Sequence, residues 1–387
     1  MAIEFIQEPA ELSLSQSPLV FAVSESVTGL IGSSSFQYVG ELYYWTGEDN
    51  ESGSFSNFTF TKYPNTALSG IFDVSKVVNS TITTPVEESG SLVVKYKMDF
   101  YHQYLSSSVN ITGSHVESGI YKAIDGYGVF QENITQSLDD KTPFWPIMTD
   151  GPSTQSTFTN NVGRMSVFNT SGSGDIPDAI LYAGGIQSSS FALSYSENTS
   201  GSISQFPIGD GETDFPLSSS YDFFTVTALK DGAAISDSIK FEVECEQKYP
   251  NVRIKWKNRY GQFDYLNFSL VSSESFNADI KTYESQLGSW DAKSLSYKKY
   301  DSATRNYIAD SKQSIKVNSN WLSQDYNEIL KQLLVSDEIY WVYGSTDADL
   351  RPLTLKTNSI NFLTNVKDKL IQYSFDFEFG QNYKLVL

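Results

Sequence analysis

From Leu92 to Phe100 the chain alternates: Leu92, Val94, Tyr96, Met98 and Phe100 are apolar, with Val93, Lys95, Lys97 and Asp99 between them. In an extended backbone successive side chains point to opposite faces, so this rhythm builds a strand and nothing else of comparable length. It predicts an antiparallel, half-buried strand, one face on a core and a mostly polar face toward water. The same period returns in Phe241, Val243 and Cys245 against Lys240, Glu242, Glu244 and Glu246, and in Val252, Ile254 and Trp256 against Arg253, Lys255 and Lys257. Tyr249-Pro250-Asn251 between these two runs reads as a turn, which predicts that they form a hairpin. Near the C-terminus Tyr373, Phe375, Phe377 and Phe379 oppose Gln372, Ser374, Asp376 and Glu378, and Gly380-Gln381-Asn382 ends that strand.

One segment follows the helical period instead. Ser323 stands as an N-cap before Gln324 and Asp325, and Tyr326, Ile329, Leu330, Leu333 and Leu334 recur at three- and four-residue spacing. This predicts an amphipathic helix over about 323–335 whose apolar stripe docks on a sheet. A weaker helical turn is expected at Val74 to Val78. Aromatic residues make up 14% of the chain. With abundant Ser, Thr and Asn, this biases everything else toward strands and turns.

The expected fold class is therefore mainly β: two or three antiparallel β-sandwich-like domains, with one α-helix in the C-terminal domain. Breakers and a change in charge set the divisions. Thr83-Thr84-Pro85 with Glu87-Glu88-Ser89-Gly90, the stretch 150–157 and the Ser/Gly-rich run 170–174 interrupt the strand pattern. Residues 1–245 carry 9 Lys/Arg and 29 Asp/Glu, net −20, whereas 246–387 carry 18 and 17, net +1. The expected domains are an N-terminal β-sandwich-like domain at 1–110, a middle acidic β-rich domain at 111–245, and a C-terminal β domain at 246–387 holding the helix. No strict internal repeat is visible, which argues against a solenoid or propeller.

Several function classes lose support on composition. The net charge of −19 disfavours general and sequence-specific nucleic-acid binding, which needs clustered Lys and Arg. No apolar run of membrane-spanning length occurs, and the first residues lack a signal-peptide pattern, so neither membrane insertion nor export is expected. The single cysteine, Cys245, cannot form an intramolecular disulfide, and a reducing site of assembly is expected. Eight Asn-x-Ser/Thr triplets, among them those at Asn57, Asn110, Asn133 and Asn198, are read as chance in an Asn- and Ser/Thr-rich chain.

Motifs that carry chemistry are missing. The two histidines, His102 and His115, have no Gly-x-Ser-x-Gly elbow beside them and read as a strand-end and a loop residue. Zinc-site spacing and phosphate-binding glycine loops are both absent. Asp210-Gly211-Glu212-Thr213-Asp214 and Glu48-Asp49-Asn50-Glu51 could wrap Ca²⁺ only outside the EF-hand spacing, and read as solvated acidic turns. No residue is assigned a catalytic, cofactor or metal role, and no cofactor is expected. Trp45 with Tyr43 and Tyr44, and Trp145 beside Phe144 and Pro146, are the candidate sugar-stacking platforms, set against an ordinary role in core and interface.

Three stretches resemble virion structural proteins of tailed bacteriophages, of the crAss-like and marine types. They are Ile6-Gln7-Glu8-Pro9 with Ser17-Pro18-Leu19-Val20-Phe21, then Phe36-Gln37-Tyr38-Val39 with Gly70-Ile71-Phe72-Asp73-Val74-Ser75, and finally Lys257-Asn258-Arg259-Tyr260-Gly261-Gln262-Phe263-Asp264-Tyr265. About a third of the chain is covered. The resemblance implies a non-enzymatic structural component of the tail, baseplate or head-to-tail region, found in the virion and assembled in the bacterial host cytoplasm. Its partners would be other virion proteins and copies of itself in a symmetric assembly. The alternative expectation is a carbohydrate-binding adhesin or receptor-binding module that takes a host-surface glycan; a glycan-cleaving enzyme comes third.

Overall fold

The computed structural model describes residues 3–26, 29, 35–47, 55–82, 92–129, 147–169, 177–195, 202–218, 221–244, 248–291, 293–344, 349–361 and 370–381. Strands take up 54% of the chain and helix 6%, so the fold is mainly β. Two compact units divide it. The first gathers Met1–Cys245 together with the turn Lys257–Asp264; the second holds Glu246–Trp256, Tyr265–Gly344 and Asp349–Leu387.

The first unit opens as a sandwich. A three-stranded sheet of Ile3–Gln7, Val20–Glu25 and Ser69–Asp73 faces a seven-stranded sheet centred on Val93–Ser106 and Gln37–Trp45. Phe21, Val23 and Phe72 from one layer meet Tyr38, Leu42, Tyr96, Met98 and Phe100 from the other, all buried. Phe72 and Phe100 pack with ring centroids 5.0 Å apart, a contact worth about 1 kcal/mol beyond the area it buries. Residue 110 lies inside the antiparallel pairing of Val93–Ser106 with Val109–Thr112. Tyr121–Ile124 then joins the same sheet, antiparallel to Val93–Ser106 and parallel to Leu12–Leu14. The short helix Ser75–Asn79 follows the third strand of the small sheet and occupies the place where a helical turn was expected.

Farther along, the unit contains a six-stranded sheet of order Thr154–Phe158, Ile239–Glu244, Phe223–Lys230, Ala179–Gly184, Gln187–Ala192, with Ala233–Ala234 added to its third strand. Here the sequence expectation fails in an informative way. Ile239–Glu244 pairs in parallel with Thr154–Phe158 and antiparallel with Phe223–Lys230, so both its edges are taken and no edge remains for Val252–Lys257. The predicted hairpin across Tyr249-Pro250-Asn251 does not form.

The second unit is a seven-stranded sheet of order Phe263–Phe268, Val252–Lys257, Ile339–Val342, Leu350–Leu355, Ser374–Phe379, Thr304–Asn318, Ser273–Glu284. The helix is present where its period placed it: a 3₁₀ turn Gln324–Tyr326 leads into Asn327–Val335, but Ser323 makes no side-chain bond to a backbone N–H and donates instead to the Asp325 carboxylate at 3.3 Å. Ile329, Leu330 and Leu333 are buried among Trp256, Phe268, Ile315, Val317, Phe375 and Phe377. Tyr373 ties down the start of this helix, its hydroxyl donating to Asn327 Oδ1 at 2.8 Å. Tyr373→Phe is expected to lower unfolding free energy by about 1 kcal/mol, read by denaturant titration, because one part-buried hydrogen bond is lost.

The charged faces of two strands are also less open than the alternation implied. Lys95, Lys97 and Asp99 are buried along with the apolar side, because their strand lies in the middle of a sheet under long neighbouring side chains. Lys97 runs its stem along that surface, its ammonium 5.7 Å from the Tyr43 ring and 3.3 Å from Glu117. Arg253 and Lys255 are buried too, over the ring of Tyr265 at 4.7 and 5.7 Å.

Candidate interaction surface

The feature of the second unit that core packing does not explain is a long antiparallel hairpin. Ser273–Glu284 pairs along its whole length with residues 304–316 of Thr304–Asn318, and the small pair Ser289–Asp291 with Ser294–Ser296 lies between them in sequence. Its root is anchored: Ile315 and Val317 are buried in the core, and Thr304–Asn318 pairs with Ser374–Phe379. Glu378 accepts from Lys356 and Lys312 there, and these bonds hold its carboxyl below the usual carboxylate range. Away from the root burial stops. All twelve residues of Ser273–Glu284 are exposed.

This strand nevertheless carries apolar side chains. Phe276, Ala278 and Ile280 share one face with Glu274, whose cross-strand partner is the core residue Ile315. The core face of the sheet thus continues outward past the helix that covers it. Phe276 and Ile280 are both about half exposed, at 53% and 51%, and Tyr297, Tyr300 and Tyr307 more so. Asn277, Asp279, Lys281 and Tyr283 occupy the opposite face. Tyr307 has no counterpart, because pairing passes from Lys281–Ile308 to Thr282–Asn306. The extra residue is therefore on the inner strand, and the outer strand keeps its two-residue rhythm unbroken. Composition-based reading missed this strand because it has no apolar run; its signal is the short alternation of Phe276, Ala278 and Ile280 with Asn277, Asp279 and Lys281.

The residues singled out for chemistry are dispersed. His102 is buried, with Nδ1 2.8 Å from Glu25 Oε2 and its ring stacked on Phe36; it is sealed within the sandwich, out of reach of a substrate. His115 lies at a surface, with Nδ1 2.6 Å from Asp99 Oδ2 and its ring 4.4 Å from that of Tyr101. An Asp–His pair can orient an imidazole for proton transfer. Asp99 is its only hydrogen-bond partner among the described residues, so no hydroxyl is held for activation. Nearby, Glu41 accepts from both Tyr43 and Tyr101, and that bond with Glu41 pushes the Tyr43 phenol up to about 12.

Asp210-Gly211-Glu212-Thr213-Asp214 is committed internally: Asp210 accepts from the Asn160 N–H, Glu212 from that of Gly163, and Asp214 holds Arg164 through both oxygens at 2.8 Å. Among the described residues no group of three or more His, Cys, Asp or Glu is arranged to hold a metal. Trp45 is buried and offers no stacking face. Trp145, Cys245 and Glu48-Asp49-Asn50-Glu51 lie outside the described residues. A cleft of about 140 Å³ is lined by Ile147, Thr149, Ser236, Ser238 and Ile239 among others. Three of its hydroxyls are engaged, Thr149 with Asp264, Ser238 with Thr227 and Ser236 with the Ala228 N–H.

A polar arrangement that the sequence did not announce centres on the turn Lys257–Asp264 in the first unit. Asn258 shapes it, accepting at Oδ1 from the N–H groups of Tyr260 and Gln262 and donating from Nδ2 to Met148 O. Arg259 and the Tyr260 hydroxyl converge on Asp150, Lys257 pairs with Asp125 at 3.0 Å, and Ser166 donates to Gln262 Oε1 at 2.6 Å. Asp264 accepts from Thr149 Oγ1 at 2.7 Å, while its Oδ2 is buried without a hydrogen-bond partner among the described residues. Burial pushes this carboxyl up to about 7, the Asp150 carboxylate adding to the effect and the Thr149 bond opposing it.

No family model matches the chain, and no curated protein does. Among solved structures, the chain is similar to the full extracellular region of plexin A4 at 9% sequence identity and a TM-score of 0.17. That alignment covers 100% of this chain and 40% of the plexin chain, so the chain spans less than half the length of that relative. A likeness this slight carries no argument about fold or activity. No helix among the described residues is long and apolar enough to cross a membrane.

Proposed function

We propose that this protein is a non-enzymatic structural component of a tailed-phage virion, in the tail, baseplate or head-to-tail region, and that it joins its neighbours through β-rich surfaces. The single observation that carries the assembly part is the exposed hairpin: a strand of twelve residues, regular in its pairing and half apolar on one side, is extended from a well-packed sheet and left uncovered among the described residues. An uncovered strand of this kind is an aggregation hazard in a monomer and a joining device in an assembly. The placement in a virion rests on the resemblance of three sequence stretches.

The turn Lys257–Asp264, which lies within the third of those stretches, acts in this reading as a rigid node. Particles borne on symmetric contacts need subunits that hold their shape, and the bonds of Asn258, Arg259, Tyr260 and Gln262 tie distant chain segments into one arrangement. The test is a census of particles. Gradient-purified virions of the phage that encodes the chain, analysed by quantitative mass spectrometry, are expected to contain it at a fixed copy number. Recovery solely from the soluble fraction of the lysate overturns the proposal.

A further inference from the structure

We infer that the outer edge of Ser273–Glu284 pairs with the same edge of a second copy of the chain, antiparallel across a two-fold axis, so that two seven-stranded sheets become one. The inference rests on the assembly reading and names its first partner. The strand ends the sheet order, and among the described residues no strand lies on its outer side. Its backbone alternation is uninterrupted from Ser273 to Glu284, since the bulge at Tyr307 falls on the inner strand. Its outward N–H and C=O groups can therefore form a continuous ladder.

Charge selects both the partner and the register. A two-fold axis perpendicular to a sheet makes one residue face its own copy, which leaves few alignments to compare. With Ile280 opposite Ile280 of the second copy, Asp279 stands opposite Lys281 of that copy, and Lys281 opposite its Asp279. Ala278 then meets Thr282, Asn277 meets Tyr283, and no like charges are opposed anywhere from Phe276 to Glu284. Directly opposed residues share a face, so both ion pairs form on the polar side while the two Ile280 side chains meet on the apolar side. Centring the axis on Asp279 or on Lys281 sets like charges against each other. Centring it on Ala278 opposes Asp279 to Asn277 and Lys281 to Ser275, and uses neither charge.

The test exploits this reciprocity. Asp279→Lys gives a strand with two lysines, which repels its own kind; Lys281→Asp gives two aspartates, with the same effect. Both substitutions fall on exposed positions, and circular dichroism verifies that the fold is kept. In light scattering coupled to size exclusion at low ionic strength, wild-type chain is expected to dimerise, and each single variant to do so about tenfold more weakly or worse. The double variant D279K/K281D restores the pairing. So does an equimolar mixture of the two single variants, because every opposed pair in the mixed dimer is then of opposite sign. Single variants that dimerise like wild type, or a mixture that stays monomeric, overturn the inference. A chain that is monomeric throughout but present in purified particles overturns this edge pairing alone, whereas absence from particles overturns the reading beneath it.

Discussion

Asp264→Asn is expected to flatten the pH dependence of stability, leaving the variant nearly level between pH 5 and pH 8 while the wild-type chain loses about 2–3 kcal/mol over the same range. The cause is the buried carboxyl at the Lys257–Asp264 turn, which holds its proton up to about pH 7 because ionising it strands a charge away from water. The sign follows from proton binding. Unfolded, the group ionises near 3.8; folded, it keeps its proton until about 7. Between those values the folded state binds more protons than the unfolded one, so stability falls as pH rises. The contribution is complete below the unfolded value, is lost through the folded value, and amounts to about 4 kcal/mol in all. Asparagine matches the shape of the neutral acid and cannot ionise. Urea titrations of both proteins at the two pH values are the measurement; parallel profiles would mean that Asp264 is ionised in the folded state without penalty.

Gly126→Ala is expected to cost about 4 kcal/mol or more, a large loss for the addition of a single carbon. Gly126 has φ +121°, which side chains rarely adopt, and a Cβ built there stands 2.1 Å from the backbone oxygen of Arg259. Neither partner can yield cheaply. The same oxygen accepts the Tyr127 N–H at 2.8 Å, so a shift that relieves the clash also breaks a buried bond. From the other side Gly261, at φ +69°, brings its own backbone against Asp125, where a Cβ would stand 2.6 Å from that residue's Cβ. The control is Gly185→Ala: its φ is +59°, with nothing within 4 Å of the added carbon, so only the conformational cost of about 1 kcal/mol remains. Equal losses in the two variants, compared by thermal and chemical unfolding, would show that the close approach of these two segments contributes nothing.

How far the structure was readable beforehand depends on what kind of order each part uses. The helix near Tyr326 announced itself through its three-and-four spacing, because that is a local property of a short segment. Unlike Ser273–Glu284, the strands with apolar alternation, at Val93–Ser106, Ile239–Glu244, Val252–Lys257 and Ser374–Phe379, were visible as strands for the same reason. Their neighbours were not: a period of two says which side chains share a face and is silent on which strand lies alongside. Hence Ile239–Glu244 was expected to pair across Tyr249-Pro250-Asn251 with Val252–Lys257, yet it takes the distant Thr154–Phe158 and Phe223–Lys230. Burial of Lys97, Arg253 and Lys255 escaped the sequence too, since a long aliphatic stem beside an aromatic ring looks like any exposed cation in the linear order. The polar turn was hidden by distance along the chain: Thr149 and Asp264 are 115 positions apart, and Asn258 and Met148 are 110 apart.

The unbroken rhythm of Ser273–Glu284 has a consequence in time as well as in space. Under the edge pairing inferred above, joining is second order in chain concentration, so molecules remain separate while scarce and combine as their concentration rises. In that inferred assembly the subunit's own abundance serves as the clock.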